Sequence, residues 1–354
     1  MQGGGNHLFF INYCGMIILL VVLLLFCVPC GSYAGDNTQN AITLLQKDDV
    51  KSREAVASFS SYDKDGRTQI IKLYKSHLQL VRQHGWKMEE LFTDKIVAKD
   101  GITRALPSTV LTSPRKGPAL WILTGIHGEE PAGPCALAEN MEFLAALCDR
   151  EVPMVIFPLL NPGGYYRNLR YPGAEARGNK APEISVGDSD HLLPDKSGKP
   201  RKARPSSARC DSVTRKVLEL SKDYPPLLVL DFHEDDTVDK GYIYSQGKMG
   251  RRDPTALAII GAFKEMRFPL LLSGRISDEE IIKDGIISDV KDGSIDELLA
   301  STEILRGGTK YPGPSAESAI VIETGSLNVS LPSRIKVHSH ILRMAETLWK
   351  SVLH

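Results

Sequence analysis

The sequence predicts an α/β protein, a single domain with a mixed, mostly parallel sheet covered by helices on both faces. Three observations carry that prediction. Short continuous apolar runs suited to fully buried strands, such as Ala119–Thr124 (ALWILT), recur along the chain. They alternate with stretches of helical periodicity, the pattern of strands joined by crossover helices. No internal repeat or linker divides residues 61–354.

The chain has 354 residues, 42% apolar and 24% charged, with 43 basic and 43 acidic side chains. Zero net charge excludes a protein that coats nucleic acid, and the moderate apolar content excludes a polytopic membrane protein. The first charged side chain is Asp36. Ahead of it, Met16–Val28 is an unbroken apolar run, too short to span a bilayer and matched to the apolar region of a signal peptide. Ser32-Tyr33-Ala34 then places small residues where a signal peptidase reads. Residues 1–34 are therefore expected to direct export to the periplasm or the medium, with cleavage after Ala34. An uncleaved anchor over residues 8–29 is the alternative, and would be the chain's only link to a membrane. Residues 35–60 read as a polar leader, and the domain proper occupies 61–354.

Along that domain, Ile70, Leu73, Tyr74, Leu78 and Val81 form a helical stripe that Gly85 ends. Residues 95–110 read as strands broken at Asp100-Gly101. After ALWILT, Pro131 opens a helix reaching to about Leu147. Strands follow at 152–159 and 227–230, then a helix at 253–268, a strand at 319–322 and a closing helix at 334–353. Residues 173–208, rich in Gly, Pro and Ser and carrying the basic run 199–204, read as a solvated loop, with an anion- or polymer-binding rim as the alternative. His77 and His84 are expected to be solvated on the first helix, and His338 and His340 to lie on the surface. Cys135, Cys148 and Cys210 are an odd number, so at least one thiol is free. Cys135 and Cys148 fall on one expected helix, too far apart for a mutual disulfide.

The chemistry lies where three buried strands end in ionisable residues that a core does not tolerate unpaired. ALWILT runs into Gly125-Ile126-His127-Gly128-Glu129-Glu130, LLVL into Asp231-Phe232-His233-Glu234, and AIVI into Glu323-Thr324-Gly325. In an open parallel sheet these groups converge outside the carboxyl ends of the strands. An imidazole and a carboxylate three residues apart share a metal readily, and His233 completes three protein ligands with one position left open, the pattern of catalytic zinc. Asp231, two residues before His233, is placed to orient the imidazole. Glu234-Asp235-Asp236 reads as a solvated loop, with a cation-binding role as the alternative.

The strings TGIHGEEPAG, NPGGYYRNLR, LDFHE and AIVIETGS resemble, in order and approximate spacing, the zinc carboxypeptidase family, which includes aspartoacylase-like relatives. The resemblance implies one Zn²⁺ per chain, held by His127, Glu130 and His233, with Glu323 as the general base. It implies that Arg167 polarises the scissile carbonyl and that Arg170, Asn168 and Tyr311 bind substrate, a peptide or an N-acyl amino acid. The sequence departs from the family pattern at residues 185–193 (SVGDSDHLL), where the Asn-Arg pair that grips a terminal carboxylate is missing. The reading is an exported carboxypeptidase, with cell-wall peptides as a substrate class suggested by export. The alternatives are an amidase that removes an acyl group from an amino acid and a zinc-binding pseudoenzyme that recognises peptide ends.

Overall fold

Apolar runs such as ALWILT and LLVL bury both faces of their strands only if helices cover the sheet on each side. The computed structural model describes residues 38–47, 49–98, 100–172, 184–276 and 280–353. The expected export segment, residues 1–34, lies outside the described residues, and Thr38–His354 form one unit.

The elements in chain order begin with β1 (Thr38–Asn40), α1 (Ala41–Gln46), α2 (Val50–Ala57), α3 (Ile70–His84), β2 (Lys87–Val97) and β3 (Thr103–Thr112). Next come β4 (Ala119–Thr124), α4 (Ala132–Glu139), α5 (Met141–Asp149), β5 (Met154–Phe157), α6 (Pro162–Arg167) and α7 (Ala208–Leu220). Then follow β6 (Pro226–Asp235), β7 (Tyr242–Ser245), α8 (Pro254–Glu265), β8 (Ser273–Arg275), β9 (Ile281–Lys283) and β10 (Ile286–Ser288). The chain closes with α9 (Ile295–Ala300), β11 (Glu303–Arg306), β12 (Thr309–Pro312), β13 (Ser318–Gly325) and α10 (Leu331–Leu353).

Eleven strands form one mixed sheet in the order β1-β3-β5-β4-β6-β13-β7-β10-β9-β8, with β2 paired to β3. Its centre, β5-β4-β6-β13, is parallel throughout, and β3 and β7 flank that centre antiparallel. The period of two sorts the central strands into two faces. Leu120, Ile122, Leu228, Leu230, Ile320 and Ile322 pack with residues of α4, α5, α8 and α10. Trp121, Leu123, Val229 and Ala319 face the other way, against α7 and α9.

Several expectations need correction. The helix expected from Pro131 to about Leu147 is broken at Asn140, whose φ of −113° and ψ of 12° depart from helical values. The Asn140 side chain donates to Ala136 O at 2.7 Å, an alternative to continuing the helix. Cys135 and Cys148 therefore sit on two helices, and all three described cysteines are free. Residues 38–60 do not form a plain leader, because β1 pairs in parallel with β3 and Ala41, Ile42 and Phe59 enter a core cluster with α3.

His77 is buried edge-on to Tyr74, and His338 is buried against Phe232 with its Nε2 3.3 Å from Thr324 Oγ1. Burial alone depresses His77 to about 3, and burial, with Arg334 adding to it, does the same to His338. His84 and His340 are partly exposed, beside Glu142 and Glu265. Among the described residues no helix is long and apolar enough to cross a membrane.

Candidate active site

The register of the central strands builds the site. Asp231 and His233 continue the β6 face that carries Val229, and Glu323 continues the β13 face of Ala319 and Val321. The parallel pairing sets Glu323 opposite His233, so both side chains leave the sheet together on the α7/α9 side. The alternate residues, Phe232 and Thr324, turn to the opposite face and meet His338 of α10.

His127 and Glu130 arrive on the turn after β4. Gly125 opens that turn at a φ of 64°, a conformation that favours glycine. At Gly128 a Cβ would stand 2.1 Å from the Gly164 carbonyl carbon. The two glycines thus let the His127 turn press against the Asn161-Pro-Gly-Gly turn. Asn161 caps α6 by accepting from Gly164 N at 2.9 Å and donates its Nδ2 to Arg170 O at 2.9 Å. Arg170 is thereby anchored beside the turn.

The convergence is tight. Glu130 Oε1 lies 2.8 Å from His127 Nδ1, and its Oε2 lies 2.9 Å from His233 Nδ1. One potential ligand atom from each of the three residues falls within 4.8 Å of the others. Both imidazoles turn Nδ1 to the Glu130 carboxylate, while His233 Nε2 is held 3.2 Å from Asp231 Oδ1. Asp231 is fully buried, and beyond that ion pair its carboxylate has no hydrogen-bonding partner among the described residues. A His₂-carboxylate donor set with a buried carboxylate behind one ring fits a divalent zinc ion. Burial works to raise the Glu130 pKa, but the attraction of His127 and His233 outweighs it and holds this carboxyl well below the usual range. Burial likewise disfavours charge on His233, yet Asp231 and Glu130 raise it well above an ordinary imidazole.

Glu323 lines the same cleft of about 300 Å³ as His127, His233 and Arg170. Burial, against the pull of His233, pushes its carboxyl up to about 8. A cation held by the triad would draw it down again. Arg170 Nη1 donates at 2.8 Å to both Glu129 and Glu130.

The other expected residues are dispersed. Arg167 lines a separate groove with Ser58, Tyr62 and Asp100, and donates its Nε to Gly163 O at 3.2 Å. Asn168 is left-handed at a φ of 61°, and its Oδ1 is taken by Arg67. Tyr311 is 45% exposed on the β11–β12 hairpin, with the Arg306 guanidinium over its ring, and it does not line the cleft.

Tyr244 does line the cleft, brought there by the pairing of β7 with β13. Arg67, which drew no attention in the sequence, is buried and donates to Gly128 O at 2.9 Å and to Tyr165 O at 3.0 Å. It ties the His127 turn to α6. Its one visible signal is an arginine two residues after Asp65, which accepts from it.

The basic run is not simply solvated. Lys202 reaches Asp188 at 2.5 Å and Asp190 at 3.1 Å, and Arg201 pairs with Glu297. Glu234 is buried, accepting from Ala132 N and paired to Arg334, so it does not belong to a solvated loop.

No protein-family model and no curated protein sequence matches the chain. Among solved structures it is similar to a candidate metallopeptidase of Shewanella baltica OS155, with a TM-score of 0.59 and 23% identity over 78% of this chain and 91% of that one. A second, from Shewanella amazonensis SB2B, gives 0.57 and 21% identity over 76% and 89%. Bovine thrombin-activatable fibrinolysis inhibitor, solved with a tick carboxypeptidase inhibitor, gives 0.53 and 12% identity over 82% and 98%. The chain has the α/β fold of these proteins.

Proposed function

We propose that the protein is a zinc carboxypeptidase, hydrolysing a C-terminal amide bond of a peptide. The observation that carries this reading is the meeting of His127, Glu130 and His233 beside Glu323 in one cleft. The fold shared with a protein that binds a carboxypeptidase inhibitor supports it. Zinc held by the triad would supply a Lewis acid that lowers the pKa of water at its open position. Glu323 takes the proton of the attacking water on its carboxylate and returns it to the leaving amine. Asp231 holds the His233 ring by its Nε2. Arg170, the guanidinium in the cleft, meets the terminal carboxylate of the substrate, and Arg167, which lines another groove, does not reach the scissile carbonyl.

The segment at 185–193 favours a second reading, removal of an acyl group from an amino acid. Its acids Asp188 and Asp190 are engaged by Lys202, and it offers no Asn-Arg pair to a peptide terminus. Export through residues 1–34 is part of the proposal, with cell-wall peptides as a substrate class consistent with that address.

The test is a panel of peptides with free or amidated C-termini, together with N-acyl amino acids, assayed with zinc-loaded protein. Release of single C-terminal residues, with amidated peptides cleaved at least ~10-fold more slowly, is expected for a carboxylate-guanidinium contact. Equal cleavage of both forms refutes a carboxypeptidase. Turnover of N-acyl amino acids alone establishes the second reading.

A further inference from the structure

The strand that delivers His233 sends its next residue to the other side of the sheet. Successive side chains of β6 alternate between faces, so His233 enters the cleft while Glu234 leaves toward α4 and α10. There Glu234 is buried, at 4% exposure. Its Oε2 accepts from the Ala132 backbone N–H at 2.8 Å, and its Oε1 pairs with the Arg334 guanidinium. Ala132 is the first residue of α4 and follows Glu130 by two. One carboxylate thus joins the segment that carries Glu130 to the strand that carries His233.

The local sequence makes that contact consequential. The first N–H groups of a helix have no partner within it. In α4 the N-cap is Pro131, whose ring accepts no hydrogen bond, and Pro134 has no N–H to offer. Cys135 N already donates to Pro131 O at 3.0 Å. Glu234 therefore supplies from β6 the acceptor and the negative charge that a Ser or Asp ordinarily supplies from the cap itself. Gly133 permits the approach, since a Cβ there would stand 3.0 Å from Phe232 Cβ and 3.1 Å from Phe232 O. Pro131, with its φ fixed by the ring, passes the position of Ala132 on to Glu130. Arg334 is buried in the first turn of α10, where a cation opposes the helix dipole. Its pairing with Glu234 offsets both costs and leaves neither charge uncompensated.

Resting on the metal-centre reading above, we propose that Glu234 is a positioning residue for that centre. It fixes the spacing of Glu130 and His233 from behind the sheet, and Arg334 neutralises its buried charge.

The experiment compares two double variants of the full chain that both remove the buried charges as a pair. Glu234→Gln/Arg334→Met keeps an oxygen to accept from Ala132 N, and Glu234→Met/Arg334→Met does not. Zinc affinity is measured against a chromophoric chelator, zinc-free stability by urea, and ligand geometry by the electronic spectrum of the Co²⁺-loaded protein. The Met/Met variant is expected to bind zinc at least ~10-fold more weakly than the Gln/Met variant, the scale on which groups behind metal ligands act. Its cobalt spectrum is expected to depart from wild type, and that of Gln/Met to match it. A smaller gap in affinity, or a cobalt spectrum unchanged in both, overturns the proposal whatever happens to zinc-free stability, because Glu234 then serves the fold alone.

Should either double variant fail to fold, Glu234→Asp decides. It keeps a charge for Arg334 but shortens the reach to Ala132 by one methylene. Weakened zinc binding with an altered cobalt spectrum is expected there, and the absence of either overturns the proposal. Wild type that binds no zinc refutes the metal-centre reading itself, and the proposal falls with it. That result is distinct from wild type and variants binding zinc alike, which refutes the positioning role only.

Discussion

Replacing Asp231 by Asn isolates the group behind the metal-binding ring. The carboxylate is fully buried, sits 3.2 Å from His233 Nε2 and has no other hydrogen-bonding partner among the described residues, so its task is to orient and polarise that imidazole. Asn keeps the shape and removes the charge. Partners of this kind alter metal affinity by about 10- to 100-fold, or roughly 1.4–2.7 kcal/mol. The same energy appears as lost stabilisation by saturating zinc, because a ligand stabilises the fold by RT ln(1 + [L]/Kd). The assay is zinc titration against a chromophoric chelator, paired with urea denaturation with and without zinc. Affinity weakened by about 10-fold or more, with a matching drop in the zinc-induced shift, is expected. A zinc Kd within about twofold of wild type refutes a role for Asp231 in supporting the ligand.

Glu323→Gln is expected to retain zinc and lose at least ~10²-fold in kcat, the scale of a removed general base, measured on the best peptide substrate. Retained turnover moves the proton transfer elsewhere. His77, depressed to about 3 in the fold from about 6.5 unfolded, binds a proton in the unfolded chain first. Stability therefore falls as pH drops below 6.5, by about 1.4 kcal/mol per unit until pH approaches 3. Urea midpoints at pH 7 and 5 should show that fall, with this component absent in His77→Phe. Arg67→Met strips a donor from the buried carbonyls of Gly128 and Tyr165, so a loss of about 3–5 kcal/mol and weaker zinc binding are expected from denaturation and zinc titration.

The central strands were legible because a continuous apolar run is buried on both faces, and a His, Asp or Glu at its end must then stand at the rim of the sheet. ALWILT, LLVL and AIVI became β4, β6 and β13, and their ends meet in one cleft. What escaped depends on pairings that local periodicity does not record. β1 is a three-residue strand whose partner β3 lies some sixty residues on, and nothing in its own sequence announces that pairing. His77 and His338 are polar letters on amphipathic helices, yet both fall on the buried side. Arg167 and Arg170 look equivalent at a spacing of three. The left-handed Asn168 between them ends α6 and breaks the helical relation, so one arginine enters the cleft and the other lines a separate groove. The break at Asn140 reflects a side chain that bonds back to its own helix, a choice made in competition with the regular backbone ladder.

Zinc content per chain tests the central claim most directly. Purified wild type, His127→Ala and His233→Ala are equilibrated in zinc buffered by a chelator, and metal is counted by mass spectrometry against protein concentration. About one zinc per wild-type chain, with most of it lost in each variant, is the expected result, since two remaining ligands hold zinc poorly. Full zinc occupancy in both variants would contradict the assignment of His127, Glu130 and His233 as a metal centre.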